Sequence, residues 1–197
     1  MNVKAQASAG FAMPTHDPVS PEAVLEFWFE ELTPQQHFAK DAALDAAIGT
    51  RFGATLEAAT RGELFGWRAS PPGRLAEIVV LDQFSRNVWR DTPRAFAQDG
   101  MALVLAQELV ASGHDRALPP AQRAFAYMPY MHSESRVVHV QAVALFAQPG
   151  LEGNLPFALS HRAIIERFGR YPHRNAVLGR ASTDEELAFL REPGSSF

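Results

Sequence analysis

Apolar residues recur along this chain at helical spacing, in blocks separated by proline and glycine. Ser20-Pro21-Glu22 gives a serine cap, a first-turn proline and an acid, and Val24, Leu25, Phe27, Trp28 and Phe29 follow. That order starts a helix. Three consecutive aromatics cover most of a helix circumference at about 100° per residue, so a single buried face cannot take them all. Either this first helix is enclosed on several sides, or one aromatic meets a partner subunit and the protein is a homodimer through it. Asp41 to Glu63 carries Leu44, Ala47, Ile48, Phe52, Thr55, Leu56 and Ala59 on one stripe, which predicts an amphipathic helix.

Pro71-Pro72-Gly73 opens the next helix, read from about Arg74 to Val88. Asp91-Thr92-Pro93 is a cap-plus-proline start for a helix ending near Gly113. Leu118-Pro119-Pro120 starts another through Tyr127, which Pro129 is expected to end or kink. Ser133 is read as the cap of a helix to about Gln148, and Asn154 as the cap of Leu155 to Phe168. Thr183 with Glu186 three residues on is a capping box for a last short helix. No run alternates with period two, and no Asn-Gly or Asp-Gly hairpin signal stands between such runs. The fold class is therefore all-α, with about eight helices in one domain over 19–197 and a loose, Ala/Ser-rich tail over 1–18.

Three polar clusters interrupt this pattern. Leu75, Ile78 and Val79 define the inward stripe of their helix, and Asp82 and Arg86 continue it, four residues apart and able to pair. Gln83 and Asn87 lie on the adjacent stripe. Charges there cost several kcal/mol per ion, roughly, unless paired and hydrogen-bonded. The cluster is thus an internal ion pair fixing register or the polar floor of a pocket. The second cluster is Tyr127-Met128-Pro129-Tyr130-Met131-His132-Ser133-Glu134, placing His132 and Glu134 at a bend and helix start, where free N–H groups favour anions.

The third is Phe168-Gly169-Arg170-Tyr171-Pro172-His173-Arg174-Asn175, extended to Leu178-Gly179-Arg180. Five of the sixteen Arg fall between 161 and 180, with Glu166 as the one acid, in a chain of net charge −4. Gly169 fits a left-handed helix stop and Pro172 keeps Tyr171 extended. If the three clusters converge, they form a buried network or a site for a small anion or acidic peptide. The binding candidates are Asp82, Gln83, Arg86, Asn87, Arg170, Arg174, Asn175 and Arg180; the acid/base candidates are His132, Glu134 and His173.

Composition narrows the classes. A pI near 6.0 argues against general nucleic-acid binding. The absence of Cys removes disulfides, thiolate metal sites and thiol nucleophiles. No apolar run approaches a membrane span and no secretory leader pattern is present, so a cytoplasmic protein is expected. There is no His-Glu-x-x-His motif and no Gly-rich phosphate loop, so no metal or cofactor is expected. His114-Asp115 has the order of the dyad in all-α metal phosphohydrolases but follows Gly113, where a surface turn is the plainer reading.

These motifs together resemble the bacterial domain-of-unknown-function family 924. The resemblance rests on Leu81-Asp82-Gln83-Phe84-Ser85-Arg86-Asn87, Met128-Pro129 with His132-Ser133-Glu134, and Phe168 to Asn175 with Leu178-Gly179-Arg180 and Thr183-x-Glu185-Glu186. It runs from about Ser20 to Leu190, departing at Ser85, where Pro is common, and at Tyr171, where Phe is common. It implies a compact, right-handed, tetratricopeptide-like helical array and carries no established activity. Three functions compete on this sequence. One is a binding module for a small anion or acidic peptide. Another is a hydrolase or transferase on an anionic substrate, with His132 or His173 as general acid/base. The last is a purely structural polar network.

Overall fold

The computed structural model describes residues 17–196, in which every regular element is helical. Most of the tail read over 1–18 lies outside the described residues. Helix α1 (Pro21–Glu26) widens into a π turn over Phe27–Glu31, and α2 spans Ala42–Thr60. Helix α3 (Pro71–Val79), a second π turn (Val80–Phe84) and α4 (Ser85–Val88) form one continuous rod. There follow α5 (Asp99–Ala111), α6 (Pro120–His132), α7 (Arg136–Phe146), α8 (Leu155–Phe168) and α9 (Asp184–Phe189).

Local chemistry sets the helix starts. Ser20, Asp41 and Ser70 each accept a first-turn backbone N–H with the side chain, satisfying donors that have no partner inside the helix. Gly169 ends α8 at φ 71°, a left-handed conformation that a Cβ would strain. Thr183 and Glu186 form the reciprocal capping box of α9. Thr183→Ala is expected to cost about 1 kcal/mol in urea unfolding, because the Glu186 N–H loses its acceptor beside a carboxylate that also holds Arg170.

Helix α3 is central and packs against α1, α5 and α6, while α5, α6, α7 and α8 pack on one another in sequence. Burial of Ile48, Phe52, Leu56, Leu75, Ile78, Leu81 and Phe84 makes the main core. A smaller cluster of Ile164, Ile165, Tyr171 and Phe189 closes the C-terminal end. The aromatic opening is enclosed: Phe27 and Trp28 are buried among Phe52, Phe84 and Phe125, and Phe29 packs against the same core. A homodimer contact through α1 thus has no fully exposed aromatic to use. Among the described residues no helix is long and apolar enough to cross a membrane.

Several boundaries differ from the sequence reading. Pro129 neither ends nor breaks α6, which runs through it to His132. Proline removes only one ladder donor, and so near the helix end that loss is confined to the last turn. Helix α7 is capped by Ser135, whose Oγ accepts from the N–H of Val138, not by Ser133. Asp91-Thr92-Pro93 starts a short 3-10 turn (Pro93–Phe96), and α5 begins only at Asp99. His114-Asp115 is not a surface turn: Asp115 is buried and accepts the hydroxyl proton of Tyr127.

Candidate functional site

The second π turn lies where the sequence departs from its apolar stripe. All five of its residues are buried, including Asp82 and Gln83, so the rod is enclosed on every side there. Such turns are rare and frequent at functional sites. Phe84 faces the aromatic core against Phe27 and Phe52, while Asp82 turns toward α6.

Asp82 has no exposed surface and three side-chain donors around its carboxylate. His132 Nδ1 approaches Oδ1 at 2.7 Å, Gln83 Nε2 donates to Oδ2 at 2.5 Å, and Arg86 Nη1 lies 3.1 Å from Oδ1. The same Arg86 nitrogen donates to the Asp82 backbone carbonyl at 2.7 Å. Burial alone would raise the carboxyl. The positive field of Arg86, with the donors from His132 and Gln83, more than offsets that and holds it below its ordinary value. His132 is pushed the other way: burial, aided by Arg86, lowers its imidazole, and Asp82 only partly opposes this. We read the pair as a carboxylate beside a neutral imidazole, because Arg86 and Gln83 support the charge on Asp82 whatever the state of the ring. The proton then sits on Nδ1, donated to Asp82, and Nε2 is the ring nitrogen left for a ligand.

Arg86 reaches on to Asp99, the first residue of α5, with Nη2 3.0 Å from Oδ1. Asp99 also accepts from Arg174 Nη1 at 3.0 Å. The Arg174 guanidinium lies between two rings, 4.6 Å from the centroid of Phe96 and 4.6 Å from that of Tyr171. Arg174 is 6% exposed, and its Nε has no acceptor. Burial and the neighbouring Arg86 lower its guanidinium below the usual arginine value.

Behind this wall, Tyr171 is held by backbone and side chain together. Its N–H donates to Glu134 Oε1 at 2.7 Å, and its hydroxyl donates to the Met131 carbonyl. Arg180 clasps Glu134 with two bonds, at 2.6 and 2.9 Å, and adds one to the Tyr171 carbonyl at 3.2 Å. Burial would raise Glu134, and Arg180 with the Tyr171 N–H brings it below its ordinary value. His139 is fully buried, with Nε2 on the Ser133 carbonyl at 2.8 Å.

These groups face a cavity of about 310 Å³, lined on one side by Asp99, His132, Ser133, Glu134 and Arg174 and on the other by Pro93, Phe96, Leu103 and Leu178. Among the candidates read from sequence, His132, Glu134 and Arg174 line it, while Asp82, Gln83, Arg86 and Arg180 support them from behind. His173 packs beside the Tyr171 ring at 5.5 Å, and burial together with Arg174 pushes it down to about 4. The others stand apart. Asn87 turns toward α2 and donates to Asp45, which also takes two bonds from Arg90. Arg170 is closed by a bidentate pair with Glu186, and Asn175 is buried, donating to Ser182. Asp99, which joins Arg86 to Arg174, was missed by the sequence reading. An acid in a first turn carries no mark beyond complementing the helix dipole.

Comparison with known proteins now has a geometry to be set against. The family described as a bacterial protein of unknown function (DUF924) matches residues 24–194. The chain belongs to this family. The DUF924 match includes all three motifs and every residue of the cavity wall. A solved structure, that of a protein of unknown function from Agrobacterium tumefaciens, is similar at 37% identity and a TM-score of 0.79, over 87% of this chain and 96% of that one. No curated protein matches the chain. Membership thus extends the fold to a solved relative and leaves the chemistry to be read from the site. Among the described residues no group of three or more His, Asp or Glu side chains is placed to hold a metal ion.

Proposed function

We propose that the protein binds a small molecule through an anionic group, held by Arg174 in the cavity between α5, α6 and the bend after α8. The supporting observation is the state of that guanidinium. It is buried, fixed between Phe96 and Tyr171, tied to protein through Nη1 alone, and without an acceptor at Nε. A buried donor without a partner costs about 1–3 kcal/mol, more for a charged group. A ligand carboxylate or phosphate oxygen relieves that cost, and the planar fork suits both. Titration calorimetry with 4-methylpentanoate and with inorganic phosphate tests the reading. Arg174→Gln is expected to weaken binding by roughly tenfold to a hundredfold, with Arg174→Lys intermediate. Equal binding to wild type and to a folded Arg174→Gln variant overturns it, as does absence of binding by either probe.

A second reading is favoured by the Asp82–His132 pair. A neutral imidazole, oriented through Nδ1 by a buried carboxylate and with Nε2 left for a ligand, is the arrangement of a general base. On that reading the protein is a hydrolase acting on an anionic substrate. Turnover of 4-nitrophenyl acetate or 4-nitrophenyl phosphate, falling by about 10²–10⁴ in His132→Ala, supports it. No turnover above buffer sinks it.

A further inference from the structure

The cavity wall that supplies Arg174 also presents acceptors, and their balance says more about the ligand than the guanidinium does alone. We infer that the ligand is a zwitterion with an apolar side chain, of the class of free branched-chain α-amino acids. This rests on the assignment of Arg174 as the anion anchor and extends it to the rest of the molecule bound.

Charge is the first argument. The cluster holds three carboxylates (Asp82, Asp99, Glu134) and three guanidiniums (Arg86, Arg174, Arg180), joined by ion pairs, with a neutral His132 between them. A purely anionic ligand would upset that balance inside a poorly solvated site, and would face Asp99 and Glu134 directly across the cavity. Like charges brought together without screening oppose binding. A ligand carrying one negative and one positive group leaves the balance as it is.

Hydrogen-bonding capacity is the second. Arg174 is the unmatched donor, more than nine-tenths buried and in the cavity wall. The unmatched acceptor is His132, whose Nδ1 is taken by Asp82 and whose Nε2 therefore wants a donor from the ligand. Asp99 and Glu134 keep unused lone pairs beside it, since each carboxylate accepts up to about four bonds. An α-amino acid offers its carboxylate to one side and an ammonium with three donors to the other, one carbon apart. The opposite wall of Pro93, Phe96, Leu103 and Leu178 then receives the side chain. The space, about 310 Å³ or roughly ten waters' worth of liquid volume, takes an amino acid of medium size and leaves a long acidic peptide outside.

The experiment compares L-leucine with its two fragments, 4-methylpentanoate and 3-methylbutan-1-amine, by titration calorimetry on the full chain. Leucine is expected to bind roughly tenfold more tightly than either. Glu134→Gln and His132→Gln are expected to reduce leucine's advantage over 4-methylpentanoate, with folding verified by near-ultraviolet circular dichroism; agreement of the two separates ligand contact from disturbance of Arg180. If 4-methylpentanoate matches leucine and both lose affinity in Arg174→Gln, the zwitterion assignment is overturned and the anchor stands. If leucine binds a folded Arg174→Gln variant unchanged, the anchor itself falls. A glutamate-rich peptide binding more tightly than leucine also overturns the zwitterion assignment, as does leucine affinity unmoved by both acceptor variants.

Discussion

Asp82→Ala is expected to lower the stability of the fold by about 3–5 kcal/mol, the largest effect of any single substitution at the site. The carboxylate has no contact with water and is the shared partner of Gln83, Arg86 and His132. Its removal leaves a guanidinium, an amide and an imidazole facing an empty space. Arg86 keeps Asp99 and the Asp82 backbone carbonyl, which limits the loss. For a domain of this size each kcal/mol moves the melting temperature by about 2–4 °C, so a drop of roughly 6 to 20 °C should be seen by calorimetry. Asp82→Asn retains an acceptor for one of the donors and should lose less. A loss below about 1 kcal/mol for the alanine variant would mean that the network does not brace the rod.

Acid should unfold the protein well above the range of its carboxylates. Burial pushes His161 down to about 3 and His173 down to about 4, so both stay neutral in the folded state at moderately low pH. In the unfolded chain each takes up a proton near 6.5, the ordinary value of histidine. The unfolded state therefore binds more protons once pH falls below about 6.5, and stability drops with it. Each residue contributes about 1.4 kcal/mol per pH unit in that window, or roughly 4 kcal/mol for the pair between pH 6.5 and 5. His139 shifts in the same direction through burial and adds to the trend. Below that range Asp82 and Glu134, both held under their ordinary values by cationic neighbours, begin to take protons in the folded state as well. Urea midpoints measured from pH 7.5 to 5 should fall steadily, and replacing His161 by asparagine should flatten the curve. A pH-independent midpoint across that interval would contradict the burial of these rings.

The sequence made the supports of the site legible and concealed its geometry. Asp82 and Arg86 announced themselves because they occupy an apolar stripe set by Leu75, Ile78 and Val79, and the ion pair four residues apart is present. The stop at Gly169, the extended Tyr171 and the capping box of α9 follow from short-range rules and were readable in the same way. Asp99 was not readable. Its partners Arg86 and Arg174 stand 13 and 75 residues away, and nothing local marks a first-turn acid as a bridge. Asn87 shares the spacing of Gln83 yet serves Asp45 on α2, because the rod is buried on more than one side and a stripe cannot say which neighbour it meets. Pro129 misled for a related reason: the break it threatens depends on how much helix follows, and only His132 lies beyond the next turn. The π turns leave no signature in residue type at all.

A π turn holds one residue more than the regular helix would need for the same advance along the axis. Along the rod from Pro71 to Val88, the extra member sits between the apolar stretch and Arg86. Removing any one amino acid from Val80–Phe84 would therefore not shorten the rod so much as rotate everything after it by about 100°. Arg86 and Asn87 would exchange outlooks, uncoupling the arginine from Asp99 and the asparagine from Asp45. Point substitutions here can be repaired by neighbours; a one-codon deletion cannot.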